Sequence, residues 1–582
     1  MPLISSAHSL IALLAWILYI SLTQTSKATD TNADPRQPPN FVIFLGDNLS
    51  YADIGHLANK SNNVNPSSST SRTPHIDKLA REGLHLEHWN SVAHLCSASR
   101  SSLLTGRYPI RDGVYPGVFH NNAALGLSPT TPTMASLLRE KGYATSIVGK
   151  WHLGHRPEYL PTRFGFDEWF GIPYHMSGGS LDGHICARDP DERQWLPLYH
   201  NETIVQQPVQ LATLADRYAR QATDFIHRNA EKQQPFFLYL PFSHVHQLCA
   251  PRDLPEQEYC QWTADPTRLQ FGDAVAEMDW IVGEVMDAVR SSGVASQTLV
   301  LFTADNGPWV AEQSCSGKKG KFVGQWLMEH VDETCTACPH DYVPSPTTTE
   351  PHRCILPVNH ALTLQGVPCG HDSGLGSLWE ANVRTPAFAW WPGRISPGRV
   401  TQKTVATLDV LPTVLSLVKP TETNRSAMKN DWILDGIDIS HILLGEAEEN
   451  GEQQEKERIL FFWRDGFDEG PLPPPYGRMD VAALKVGFLK VWFWTKSGHY
   501  NDDPHQWHDP PLVFNIDEDP AESRPLNASK AFFDFVQELR LDHMKLVSRG
   551  PPLTLAKDDS YIPCADSANQ CRTGHDTIAD SR

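Results

Sequence analysis

Cys96 and Arg100 stand four positions apart in Leu95-Cys96-Ser97-Ala98-Ser99-Arg100-Ser101-Ser102-Leu103-Leu104-Thr105-Gly106-Arg107, a small-residue turn that runs into a helical pattern. Read alone, a cysteine placed this way is a half-cystine at a helix start; with the residues below it becomes a candidate nucleophile. Far from it in sequence, Gly46-Asp47-Asn48 and Ala304-Asp305-Asn306-Gly307-Pro308 each set an acid beside an amide. Asp47, Asn48, Asp305 and Asn306 offer only hard oxygen donors, which suit Ca²⁺ or Mg²⁺. Arg100, Lys150, His152 and His246 supply positive charge locally. A metal and several cations around a nucleophile can stabilise charge that develops on a transferred oxyanion group.

These residues need elements to carry them. Phe41 to Leu45, Phe236 to Leu240 and Thr298 to Thr303 are short continuous apolar runs of buried-strand type, and Ala144 to Val148 reads as another strand. In an open parallel sheet functional side chains emerge at the carboxyl ends of strands, where Asp47, Lys150, His246 and Asp305 fall. Lys150 and His152 alternate, so an extended chain would put them on one face. Helical patterns cover Met134 to Lys141, Leu211 to His227 and Gly272 to Arg290. Alternating strands and helices predict an α/β sheet covered on both faces.

A Cys-, Pro- and Thr-rich stretch from about 314 to 370 reads as a stapled loop. The acidic run Glu446 to Glu457 marks a boundary. After it Ile459 to Trp463, Ala482 to Trp494 and Leu512 to Ile516 predict strands of an antiparallel sheet, closed by a helix from Ala531 to Val547. The segment Asp558 to Arg582 reads as poorly structured apart from Cys564 and Cys571. The domain reading is therefore a signal peptide at 1–28, a large α/β domain at 36–455 and a small α+β domain at 456–582.

The 582 residues carry a formal net charge of −19, from 49 basic and 68 acidic side chains, which argues against a nucleic-acid or anionic-membrane binder. Leu10 to Leu22 has the length of a signal-peptide core rather than a membrane span, an uncleaved anchor being the alternative because no Lys or Arg precedes it, and no later segment is long enough to cross. Export agrees with ten cysteines besides Cys96, at 186, 249, 260, 315, 335, 338, 354, 369, 564 and 571, enough for five disulfides of unassigned pairing. Glycosylation sequons begin at Asn59, Asn201, Asn424 and Asn527; a fifth, at Asn48, falls inside the acid-amide motif.

With Gly149-Lys150-Trp151-His152-Leu153-Gly154-His155, Phe164-Gly165-Phe166-Asp167, Asp305-Asn306-Gly307-Pro308-Trp309 and Trp390-Trp391-Pro392-Gly393-Arg394, the chain resembles the sulfatases over nearly its whole mature length. The resemblance implies an alkaline-phosphatase-like fold with a large mixed sheet and a small C-terminal domain, and hydrolysis of aryl or carbohydrate sulfate esters in the secretory pathway, the lysosome or outside the cell. It implies that a formylglycine-generating enzyme oxidises Cys96 to formylglycine. Asp47, Asn48, Cys96, Asp305 and Asn306 would hold the Ca²⁺. Arg100 and Lys150 would steady the formylglycine, Lys150 and His246 would contact the sulfate, and His152 would help expel it.

The chain departs from the family pattern at several points. Ala98 replaces a proline, Asn48 an aspartate and His175 a serine; Ala381 and Asn382 replace two glycines; and Leu375 stands where a sulfate-binding lysine is expected. Lys318, Lys319, Lys321 and His371 are the nearby cations in sequence. Two other readings follow: an impaired relative that acts by binding, and a phosphate or phosphonate ester hydrolase. The single oxygen-rich metal set argues against the latter.

Overall fold

The computed structural model describes residues 38–61, 73–175, 196–246, 270–310, 316–330, 343–344, 353–355, 367–368, 373–418, 432–445, 457–465, 479–496, 498 and 506–573. The signal peptide, most of the Cys-rich stretch with His371, and the acidic boundary lie outside these residues.

Ten strands form one mixed sheet. From edge to edge they are Arg399–Thr401, Leu84–Leu86, Phe388–Trp390, Thr298–Ala304, Asn40–Gly46, Phe236–Pro241, Ala144–Val148, Glu168–Gly171, Leu198–His200 and Thr203–Gln206. The central strands are parallel, with Gly46 opposite Ala304 and Leu45 opposite Pro241. This register brings the ends of three strands, and the residues that follow them, to one edge of the sheet.

Continuous apolar sequence follows from burial of both sheet faces. Val42, Phe44, Leu238, Leu240, Val300 and Phe302 pack into one core with the helices Leu214–Glu231 and Gln270–Ser291. Their alternates Phe41, Ile43, Phe237, Tyr239, Leu299 and Leu301 pack into the opposite core with Leu103, Leu104, Met134, Leu138 and Leu411. The expected class, a mixed sheet covered by helices on both faces, is what the chain adopts. Among the described residues no helix is long and apolar enough to cross a membrane.

The C-terminal part is a four-stranded antiparallel sheet with the helix Lys530–Leu546. The reading of Ala482 to Trp494 as one strand is corrected: Met479–Val486 and Leu489–Thr495 form a hairpin that turns at Gly487, whose φ is 56°. Apolar residues on both arms, such as Ala482 to Leu484 and Val491 to Trp494, hid a turn signal one glycine wide. The sheet meets the large domain through buried charges. Lys490 Nζ lies 3.0 Å from Glu380 and 3.3 Å from Glu522, while Arg384 Nε donates to Glu380 at 2.8 Å.

Two further expectations need revision. The 314–370 stretch contains a helix, Gln325–His330, and three short strands, Val343–Pro344, Arg353–Ile355 and Val367–Pro368, in an antiparallel sheet of their own. The tail's described part, to residue 573, docks on the large domain: Tyr115 donates to Gly550 O, Ala124 N to Ala556 O, and Gln207 Nε2 to Pro563 O. Cys564–Cys571 closes its end, and the side chains of the other eight paired-cysteine candidates lie outside the described residues.

Candidate functional site

Cys96 is the first residue of the helix Cys96–Thr105, entered from an extended Leu95. It is a free, buried thiol, so the half-cystine alternative does not hold. Gly106, at φ 67°, ends the helix with its N–H on Ser102 O. One turn after Cys96, Arg100 points inward with no exposed surface. Its Nε and Nη2 donate to Asp305 Oδ2 at 3.1 and 2.8 Å, and its Nη1 to the carbonyl of Lys150 at 2.8 Å. Arg100 Nη2 also lies 3.5 Å from Asp47 Oδ1.

Asp47 and Asn48 leave the strand Asn40–Gly46, and Asp305 and Asn306 leave its parallel neighbour. Asn48 takes a left-handed backbone, φ 57°, which short polar side chains tolerate. The pairs interlock: the N–H groups of Asn48 and Asn306 donate to Asp305 Oδ1 at 3.2 and 2.8 Å, and Asn306 Nδ2 donates to Asn48 Oδ1 at 2.6 Å. Cys96 Sγ lies 3.7 Å from the same Asn48 oxygen.

Lys150 and His152 are both fully buried, but not by continued strand alternation. The strand ends at Val148, Gly149 takes φ 130°, and His152 takes φ 61°. A Cβ on Gly149 would come within 1.9 Å of Pro241 O, so only glycine makes this exit. Backbone bonds from Lys150 to Pro241 O and from His152 to Pro173 O then fix the segment, and Ser97 Oγ donates to His152 O. Lys150 Nζ reaches Asp47 Oδ2 at 2.5 Å, and His246 Nδ1 lies 3.6 Å from that oxygen.

Electrostatics follow from burial and proximity. Burial raises the Asp47 carboxyl, but Lys150, Arg100 and His246 together hold it well below the usual carboxylate range. Burial and the Asp47 charge push Asp305 up to about 6, against the pull of Arg100 and Lys150. The Cys96 thiol is pushed up by burial. His152 is held well below the ordinary histidine value by burial and by Lys150, His175 and Arg100, so it rests neutral. Its Nε2–H donates to Phe119 O at 3.1 Å, leaving Nδ1 as a buried lone pair with no hydrogen-bond donor among the described residues.

All the sequence-selected residues therefore meet: Cys96, Arg100, Lys150, His152, His246, Asp47, Asn48, Asp305 and Asn306. Two of the groups around them were not among the site residues selected from sequence. His175 stacks on His246 with ring centroids 5.6 Å apart, and it also approaches His152 at 5.6 Å and His120 at 6.2 Å. Trp309 sits edge-on to His246 at 5.6 Å. The side chain of Leu375 is buried, and its N–H donates to Pro308 O. The lysines near it in sequence are engaged elsewhere: Lys319 Nζ with Ser373 and Val323 O, and Lys321 over the rings of Tyr51 and Phe322.

The oxygen set fits a hard divalent cation. Asp47 Oδ1 and Asn306 Oδ1 are buried without a hydrogen-bond donor among the described residues, in a site where Asn48 and Asp305 present further oxygens. Such oxygens are costly to bury unless an ion or donor meets them.

Residues 39–420 match the family model described as Sulfatase, and residues 455–573 match the C-terminal region of aryl-sulfatase. The chain is 32% identical to arylsulfatase G of Homo sapiens over 91% of its own length and 92% of that protein. It is also 32% identical to arylsulfatase A of Homo sapiens, over 84% and 83%. The crystal structure of the PsFucS1 sulfatase from Pseudoalteromonas sp. superposes with a TM-score of 0.63 at 23% identity, covering 89% of this chain and 92% of that one, which bears on the fold alone.

Proposed function

The chain belongs to the sulfatase family and hydrolyses sulfate esters, and from that premise we propose that it does so with formylglycine made from Cys96 and one Ca²⁺ ion on Asp47, Asn48, Asp305, Asn306 and residue 96. The observation that carries this reading is the meeting of Cys96, Asp47, Arg100 and Lys150 in one buried cluster. When bound, the ion would draw charge from a sulfate oxygen, and the hydrated aldehyde would supply a hydroxyl nucleophile.

The chain's own residues do the rest. Arg100 holds Asp305 in place and clasps the Lys150 carbonyl, so the two cations are braced against each other's supports. Lys150 and His246, both on Asp47, face the position of an incoming anion and orient its oxygens. His152 Nδ1, unprotonated and fixed by the Phe119 carbonyl behind it, is the acceptor for a hydroxyl proton as sulfate departs. The enzyme that oxidises Cys96 acts in the secretory pathway, and the mature protein works in the lysosome or outside the cell on aryl or carbohydrate sulfates.

Leu375 favours a second reading, reduced turnover, since a leucine supplies no cation and the contacts of Lys319 and Lys321 with described residues are to Ser373, Val323, Tyr51 and Phe322. One experiment tests both. Peptide mass spectrometry of the secreted protein reads the state of residue 96, and kcat/KM on a chromogenic aryl sulfate reads the chemistry. Formylglycine with turnover supports the first reading, formylglycine with feeble turnover supports the second, and an unmodified Cys96 in active protein overturns the proposed nucleophile.

A further inference from the structure

Residue 96 as a thiol changes the donor set of this site. Cys96 Sγ, an Asp47 carboxylate oxygen and a ring nitrogen of His246 lie within 4.8 Å of one another, and all three residues are buried. Ligands of a tetrahedral zinc ion, with bonds of about 2.0–2.3 Å, sit roughly 3.3–3.8 Å apart, so the three groups need close by only about an ångström. His246 Nδ1 is already 3.6 Å from Asp47 Oδ2. Asp47 Oδ1, the oxygen that Lys150 does not hold, is buried without a hydrogen-bond donor among the described residues.

Hardness and charge separate this site from the calcium reading. Ca²⁺ takes oxygen donors, whereas sulfur and imidazole nitrogen beside one carboxylate are the donors of Zn²⁺, which in open sites keeps three protein ligands and one exchangeable position. The charges of Asp47 and Asp305 offset those of Arg100 and Lys150. A dication beside a neutral aldehyde therefore leaves two uncompensated positive charges in a buried site. Beside a thiolate it leaves one.

We propose that the chain whose Cys96 remains a thiol binds a borderline divalent ion such as Zn²⁺ on Cys96 Sγ, an Asp47 carboxylate oxygen and the imidazole of His246, with water in the fourth position. The metal–sulfur bond forms as the thiol proton passes to solvent, so binding weakens as pH falls. The site goes beyond the sulfatase reading, because it belongs to the unconverted chain and competes with Ca²⁺ for Asp47.

Full-length secreted protein made in cells that lack the formylglycine-generating enzyme, with the Cys96 thiol verified by mass, is freed of metal and titrated with Co²⁺. The expected result is a sulfur-to-cobalt charge-transfer band in the near ultraviolet that saturates at a single equivalent and is displaced by Zn²⁺. Cys96→Ser should abolish the band, and His246→Ala should weaken Co²⁺ binding by more than the roughly 10–100-fold that losing an outer-shell partner costs. Thermal melts establish that each variant is folded; if His246→Ala is not, His246→Gln replaces it. Absence of the band in thiol-verified protein overturns the site, as does a band that survives Cys96→Ser or a Co²⁺ affinity unmoved by the folded His246 variant. Formylglycine content and Ca²⁺ affinity of protein from converting cells are read separately, so failure here leaves the sulfatase reading standing.

Discussion

Lys150 Nζ lies 2.5 Å from Asp47 Oδ2, with neither side chain exposed to solvent. Lys150 leaves one sheet strand and Asp47 another, so this contact fastens the segment Gly149 to His152 to the oxygen cluster. Removing one member of a buried pair strands the other charge. Lys150→Met leaves Asp47 with Arg100 at 3.5 Å as its nearest guanidinium. The expected cost is about 3–5 kcal/mol in urea unfolding at neutral pH. Turnover of an aryl sulfate should fall by about 10²–10³ at unchanged formylglycine content. A variant as stable and active as the parent would remove Lys150 from the site.

Asn48→Asp adds a carboxylate beside Asp305, whose Oδ1 accepts the residue 48 N–H. Without metal the added charge repels Asp305, and the melting temperature should drop. With Ca²⁺ the extra ligand charge should tighten binding, so the calcium-dependent rise in melting temperature should exceed that of the wild type. Calorimetry that finds weaker Ca²⁺ binding would show that this oxygen does not face the ion.

Leu375→Lys places an ammonium where a buried leucine now packs. Burying an unpaired cation is costly, so the variant should be less stable than the wild type in sulfate-free buffer and recover when sulfate is added. If the missing donor limits turnover, kcat/KM should rise by about 10²–10³. Loss of stability with neither sulfate rescue nor a gain in rate would place position 375 outside the anion pocket.

Asp112 sets a pH dependence away from the site. Burial pushes its carboxyl up from 3.8 to about 6, although Arg107 sits 2.9 Å away. Because the folded value lies above the ordinary one, this contribution to stability is fully present below about pH 4 and is lost as pH rises through about 6. Asp112→Asn removes that slope. Between pH 4 and 7 the stability of the wild type should fall relative to the variant by on the order of 3 kcal/mol. Parallel curves in chemical denaturation would refute the shift.

The sequence by itself determined the parts that depend on local pattern. Continuous apolar runs as short as Phe41 to Leu45 and Thr298 to Thr303 suit strands buried on both faces better than helices, and parallel strands present their following residues at one edge. Asp47, Asn48, Asp305 and Asn306 were legible for that reason. Other features were decided only when distant segments packed. Lys150 and His152 come together through Gly149, which alone fits against Pro241, and not through strand alternation. His120 and His175 converge with His152 and His246 from loops with no periodicity to announce them. The described part of the tail takes its place because its backbone finds partners at Tyr115, Ala124 and Gln207. A sequence window records the propensity and periodicity of neighbours, whereas charge pairing, backbone exits and docking are set by groups hundreds of residues apart, whose separation only the packed chain fixes.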